Sequence, residues 1–194
     1  MLVTKPKAFL RGETPAIEGR GLCGITQTPP RKPLVAAVEG WALAGGFELV
    51  LACDLVVAAE TARFGVPEVK RSLVAAGGGA LLLPRRVPAN VAMEMLLTGD
   101  PIDARRSAEV GLVNRVTPEG GALDGALALA ATVAGNGPLA LAATKAVVRG
   151  SADWTAAEGW TRQAELVAPV FASEDAREGA AAFAEKRRPV WRGR

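Results

Sequence analysis

The sequence contains no histidine and no tyrosine. The first absence excludes Ser-His-Asp and Cys-His nucleophilic catalysis and most transition-metal sites, because imidazole is the usual neutral base and metal ligand near pH 7. The second removes phenol acids. Acid–base chemistry here must therefore rest on carboxylates, lysine or backbone dipoles. Only two cysteines are present, Cys23 and Cys53, without a CxxC spacing. Neither a disulfide framework nor a zinc site is indicated, and no metal is expected. No apolar run is long enough to span a bilayer; the longest, Trp41 to Ala59, is interrupted by Glu48 and Asp54. The chain does not open on a charged-then-apolar signal peptide, so a cytoplasmic protein without membrane partners is expected.

What is present suits a globular enzyme. The 194 residues suffice for one domain with a real core, or a domain with a small appendage. Hydrophobic residues make up 49% and charged residues 22%, and the net charge of +3 is spread along the chain. Basic residues crowd only the terminal KRRPVWRGR. No RNA- or DNA-binding motif accompanies them, so they read as a solvated end or a phosphate contact, and no nucleic-acid partner is expected.

Residues 1–33 read as irregular, because five prolines break any periodicity, apart from a short helix around Lys7–Arg11. From Leu34 the pattern changes. LVAAVEG is an apolar run ended by glycine, suited to a strand buried on both faces. WALAGGFELVLACD then gives a small-residue turn and a buried helix. DLVVAAE reads as a second strand, and ARFGVPE as a short strand entering a loop. This alternation predicts an α/β core over 34–119. Within it, helical spacing covers ALLLPRRV and ANVAMEMLLTG, with Gly99 as a stop, and DARRSAEVG follows with Asp103 as N-cap. LVNRV reads as a short strand. The region 120–194 is helical, with amphipathic segments near 122–134, 138–149 and 155–171 and a last helix opened by Ser173.

The chemistry concentrates in Leu34 to Leu55. A strand ends at Gly40, and Ala44-Gly45-Gly46 opens a helix. Free N–H groups at a helix start carry partial positive charge, and glycine lets a carbonyl approach the backbone closely. Half an oxyanion hole has those requirements. Glu48, three residues beyond Gly45, projects from the same side about one turn along. A carboxylate within FELVLAC needs a reason; it is either catalytic, or a cap or ion pair beside glycines that only permit tight packing. Glu68, in FGVPEV, is likewise either catalytic or a loop carboxylate. Two carboxylates beside one anion site, with no histidine available, favour proton transfer, and burial raises a carboxyl's proton affinity toward neutral pH.

VAAVEGWALAGGFELVLACDL resembles the signature of the enoyl-CoA hydratase/isomerase (crotonase) family. FGVPEV, MEMLLTGDPIDARRSAEVGLVNRV and SEDAREGAAAFAEKRRPVW are similar to further family motifs, in the same order, so the resemblance runs from Lys32 to the C-terminus. It implies an α/β, crotonase-like ββα spiral core with a helical C-terminal trimerisation region. It further implies an acyl-CoA substrate, with coenzyme A part of that substrate and no separate cofactor. The Gly45 N–H would be one of two donors to the thioester oxygen, and Glu48 and Glu68 match the two glutamates of hydratases. One would deprotonate the attacking water and the other protonate the α-carbon. Ala44, Gly46, Phe183 and Lys186 match substrate-binding (CoA) positions, the last two often serving a neighbouring subunit. Keeping both glutamates favours hydration over enoyl-CoA isomerisation.

The family's first strands and its second oxyanion-donor loop are not matched. KAFLRGE resembles the helix after that loop, which would fall at Met1–Pro6, so the core is expected to be N-terminally incomplete, with 1–33 replacing the family's first strands. A homotrimer or hexamer is implied. So, as an alternative, is a catalytically impaired assembly subunit joining complete paralogues in a hetero-oligomer.

Overall fold

The computed structural model describes residues 16–194. Two compact units divide the described residues, one comprising 16–30 with Leu34–Leu129, the other Arg31–Pro33 with Ala130–Arg194. In the first unit a small antiparallel hairpin, β1 (Ala16–Ile17) and β2 (Gly21–Leu22), forms inside the stretch expected to be irregular. The glycines that spoil periodicity there make the turns, since Gly19, Gly21 and Gly24 all have positive φ.

From β3 to β6 consecutive strands alternate between two sheets. β3 (Val35–Val38), β5 (Leu55–Ala59) and β8 (Arg115–Thr117) form one, in the order β3-β5-β8 and all parallel. β4 (Trp41–Leu43), β6 (Arg63–Gly65) and β7 (Ile102–Asp103) form the other, with β4 parallel and β7 antiparallel to β6. Helix α1 (Gly45–Ala52) crosses from β4 to β5. Each strand–strand–helix passage thus adds one strand to each sheet, a ββα spiral. The strand Trp41–Leu43 replaces the turn expected after Gly40; three residues are too few to show a period, and only pairing with β6 makes them a strand.

The core of this unit packs Phe47, Leu51, Val56, Phe64, Val66, Leu83 and Met95, each no more than 2% exposed. After a 3₁₀ turn (Pro67–Arg71), α2 (Gly79–Leu82), α3 (Ala89–Thr98) and α4 (Ala104–Glu109) close over it. Local chemistry sets their ends: Gly99 caps α3 in the left-handed region, and the Asp103 side chain accepts from the Arg106 N–H at 2.7 Å. The last strand covers Arg115–Thr117 rather than starting at Leu112, because Leu112 and Val113 are buried and bond back to the Ser107 carbonyl. The first turns of α5 (Ala122–Ala134) pack on β5 through Val57, Ala126 and Leu129. Close approach there depends on Gly125, whose missing Cβ would stand 3.0 Å from Val57 Cγ1.

The second unit carries α6 (Pro138–Ser151), α7 (Ala156–Phe171) and α8 (Glu174–Ala184). Thr155 and Glu158 form a capping box at α7, and Ser173 caps α8. The terminal segment folds back on α8. Asp175 accepts from the Arg192 and Gly193 amides at 2.7 and 2.9 Å, and the Trp191 indole donates to the Gly135 carbonyl at 2.8 Å. Among the described residues no single helix is long and apolar enough to cross a membrane.

Candidate active site

The site begins at a strained residue. Ala44 joins β4 to α1 with φ 51 and ψ −130, a region that side chains other than glycine rarely adopt. Bonds on both sides lock it. Its N–H donates to the Gly65 carbonyl at 3.0 Å, and its own carbonyl accepts from the Phe47 and Glu48 amides at 2.9 and 3.0 Å. The next two N–H groups, of Gly45 and Gly46, open α1 and have no intrahelical acceptor by construction. Among the described residues no backbone carbonyl takes them either. They are a pair of unclaimed donors at the positive end of a helix dipole.

Glu48 lies on the inner face of α1 and is only 4% exposed, among Phe47, Val50, Leu51 and Ala52. Its carboxylate does not cap α1 but reaches across to the Gly77–Gly79 turn, where Oε1 accepts from the Gly79 N–H at 2.9 Å. Oε2 lies toward the helix start: a Cβ built on Gly45 would stand 3.9 Å from it.

Glu68 follows Pro67 at the start of the 3₁₀ turn. Its Oε2 is buried and has no hydrogen-bond partner among the described residues. Loss of water around it raises its pKa above the ordinary carboxylate value; its own backbone N–H opposes that rise, the Glu48 charge adds to it, and Arg71 opposes it again. The fold therefore gathers Gly45, Glu48 and Glu68, drawn from a helix start, a helix interior and a loop. One glutamate is tied down, and the other holds an unclaimed oxygen in a dry place within the first one's field.

Two parts of this site have no counterpart in the sequence analysis. Leu22 of β2 covers Gly45, its Cδ2 methyl lying 3.2 Å from where a Gly45 Cβ would be. The Gly77–Gly79 cluster seats Glu48, and three adjacent glycines are the signal that could have pointed to it. Phe183 and Lys186 belong to the second unit, at the end of α8. Phe183 is 87% exposed, and Lys186 is exposed with φ 54. The expected donor loop at Met1–Pro6 and the helix at Lys7–Arg11 lie outside the described residues. Among the described residues no three His, Cys, Asp or Glu side chains converge to hold a metal.

Comparison with known proteins identifies the family. The family model described as enoyl-CoA hydratase/isomerase matches residues 25–194. The crystal structure of an enoyl-CoA hydratase from Mycobacterium tuberculosis superposes with a TM-score of 0.93 at 56% identity, covering 97% of this chain and 74% of that one. One from Mycobacterium marinum gives 0.93 at 55% identity, with the same coverage. Among curated proteins, a carnitinyl-CoA dehydratase of Citrobacter koseri is 42% identical over 97% of this chain and 75% of its own length. With both sheets, the helix-opening glycines and the helical unit all inside the matched span, the chain belongs to the enoyl-CoA hydratase/isomerase (crotonase) family.

Proposed function

We propose that the chain adds water reversibly across the double bond of a 2-enoyl-CoA thioester. The thioester oxygen accepts from the Gly45 N–H. Glu48 takes a proton from water as the water oxygen bonds to the β-carbon, and the double-bond electrons move onto the thioester oxygen as an enolate. Glu68 gives its proton to the α-carbon, and the electrons return. The sum is one water added; Glu48 ends protonated and Glu68 ionised, and proton exchange with solvent returns each to its starting form. Electrostatic stabilisation of that enolate by preorganised donors is the largest single contribution in comparable reactions, about 100–1,000-fold per donor.

One observation carries this reading: a buried Glu68 oxygen, without a hydrogen-bond partner among the described residues, on a carboxyl that feels the Glu48 charge. A carboxyl that gains protons more readily than usual suits the acid role, and the tied Glu48 suits the base. Isomerisation needs only one base to move one proton, so two electrostatically linked carboxylates favour hydration. The carnitinyl-CoA dehydratase relative extends the candidate substrates to 3-hydroxyacyl-CoA thioesters run in the dehydrating direction.

Purified chain should consume crotonyl-CoA with loss of the enoyl-thioester absorbance. Glu48→Gln and Glu68→Gln should each slow turnover by about 100–10,000-fold. Turnover unchanged in either variant removes that residue from the mechanism, and a double-bond shift without water uptake replaces hydratase by isomerase.

Assembly is the second part of the reading. The helical unit leaves Trp160, Phe171 and Phe183 77%, 78% and 87% exposed. Side chains of that size on one unit favour burial against further subunits, which supports a homotrimer or hexamer. Light scattering of the purified chain tests it, a monomer at micromolar concentration being the contrary result.

A further inference from the structure

Glycine at position 77 has no evident backbone reason, since among the chain's glycines it is not one held at positive φ. Space supplies the reason. A Cβ built there would meet Glu48 Oε2 at 2.4 Å, Cδ at 2.9 Å and Oε1 at 3.2 Å, and these are its three nearest atoms. The neighbours in the same turn differ. At Gly78 the nearest atoms belong to Leu82, with φ +127, and at Gly79 the nearest is Ala75 Cβ at 2.7 Å. Only at position 77 does the missing side chain make room for the carboxylate and for nothing nearer.

We propose that Gly77 is a positioning residue, whose lack of a Cβ lets Glu48 reach the Gly79 amide and present Oε2, rather than Oε1, to the reacting water. The two oxygens are unequal. Oε1 is engaged by the Gly79 N–H at 2.9 Å, whereas Oε2 faces both the space above Gly77 and the helix start at Gly45. A methyl at position 77 falls on the oxygen that would take the proton. The displaced group is the free end of a side chain, so the fold can absorb the change while the site cannot. Misplacing a catalytic group by an ångström costs about 100-fold in rate.

The proposal rests on Glu48 as base in the hydration reaction, and its test separates the two. The variant is Gly77→Ala in the full chain, with Gly40→Ala as control, because a Cβ at Gly40 meets nothing within 4 Å. Amide exchange at Gly79, followed by NMR, reads the carboxylate's position without any turnover. It should quicken by about tenfold or more in Gly77→Ala, as for loss of about one charge-assisted hydrogen bond, and stay unchanged in the control. In turnover, kcat should fall by about 100-fold with KM within about threefold. In a Glu48→Asp background the shorter carboxylate withdraws from the methyl, so adding Gly77→Ala should cost little more, a coupling that simple damage to the fold would not produce.

Unaltered Gly79 exchange overturns the proposal. So does altered exchange with wild-type kcat, or a Gly77→Ala loss that is the same with Glu48 in place as in the Glu48→Asp background. A wild-type chain without hydration sinks the proposed reaction instead, and the exchange measurement then still decides whether Gly77 seats Glu48.

Discussion

Glu68→Gln should make the protein more stable while making it a worse catalyst. The substitution keeps the side chain's volume and removes its charge. In the folded chain Oε2 is buried without a partner among the described residues. A buried unsatisfied polar group costs about 1–3 kcal/mol and more when charged, so the neutral amide recovers only the part due to the charge. The lower end applies, because Glu68 is only half-buried and solvent screens part of the penalty. A gain of about 1 kcal/mol corresponds, for a chain of this size, to about 2–4 °C in Tm.

The gain must depend on pH in one direction. Desolvation lifts the folded-state pKa of Glu68 above the ordinary 4.5 of a free glutamate, so the folded chain binds this proton more tightly than the unfolded chain does. Above the raised pKa the ionised group weakens the fold by its full amount. As pH falls through that raised value toward 4.5 and below, protonation removes the penalty. The variant's advantage should therefore be complete at neutral pH and vanish in acid. Thermal unfolding of both proteins, followed by circular dichroism between about pH 4 and pH 8, measures it. A variant less stable than wild type at neutral pH, or an advantage independent of pH, would refute the assignment of Glu68 as a strained, desolvated acid.

Phe47→Ala empties the centre of the first unit, where Phe47 is 0% exposed and its ring lies 5.8 Å from that of Phe64. It should cost about 3–5 kcal/mol in urea unfolding, and a loss below about 1 kcal/mol would place Phe47 outside the core. Glu39→Ala removes the carboxylate that accepts from the Gly120 and Ala122 amides at 2.9 and 2.6 Å at the start of α5. It should cost about 1 kcal/mol, and no loss at all would show that these bonds merely exchange with water. In the second unit, bonds first from Arg187 and then from the Val190 N–H hold Glu178 down to about 2. A depressed carboxylate stabilises fully above its unfolded value and loses that contribution as pH falls to the folded one, here from 4.5 to about 2. The Trp191 indole N–H resonance should thus keep its shift at about pH 5 and move only well below it; movement near pH 5 would detach Glu178 from the terminal segment.

The elements legible in the sequence are those whose cause is local. Asp103 and Ser173 bond to amides three residues on, and Gly99 ends α3 with its own backbone, so the helix ends could be read without a partner in view. Gly45 and Glu48 were legible as candidates because a helix start and a helical turn relate them. What remained hidden is non-local. Glu48 meets Gly79 across 31 residues of sequence, Leu22 covers Gly45 from the hairpin, and β4 exists only because β6 lies beside it. No periodicity records such pairings. The same limit applies to Glu68, whose orphan oxygen is a property of what surrounds it and not of FGVPEV.

The central claim, that Glu48 and Glu68 together add water across an enoyl thioester, is tested most directly by the fate of isotopes. Crotonyl-CoA is incubated with the chain in deuterium oxide enriched in oxygen-18, and the product is examined by mass spectrometry and NMR. The account predicts a 3-hydroxyacyl-CoA carrying the heavy oxygen on the β-carbon and one deuteron on the α-carbon, with both labels lost together in Glu48→Gln. Deuterium uptake without oxygen, or a shifted double bond with no hydroxyl, would contradict it.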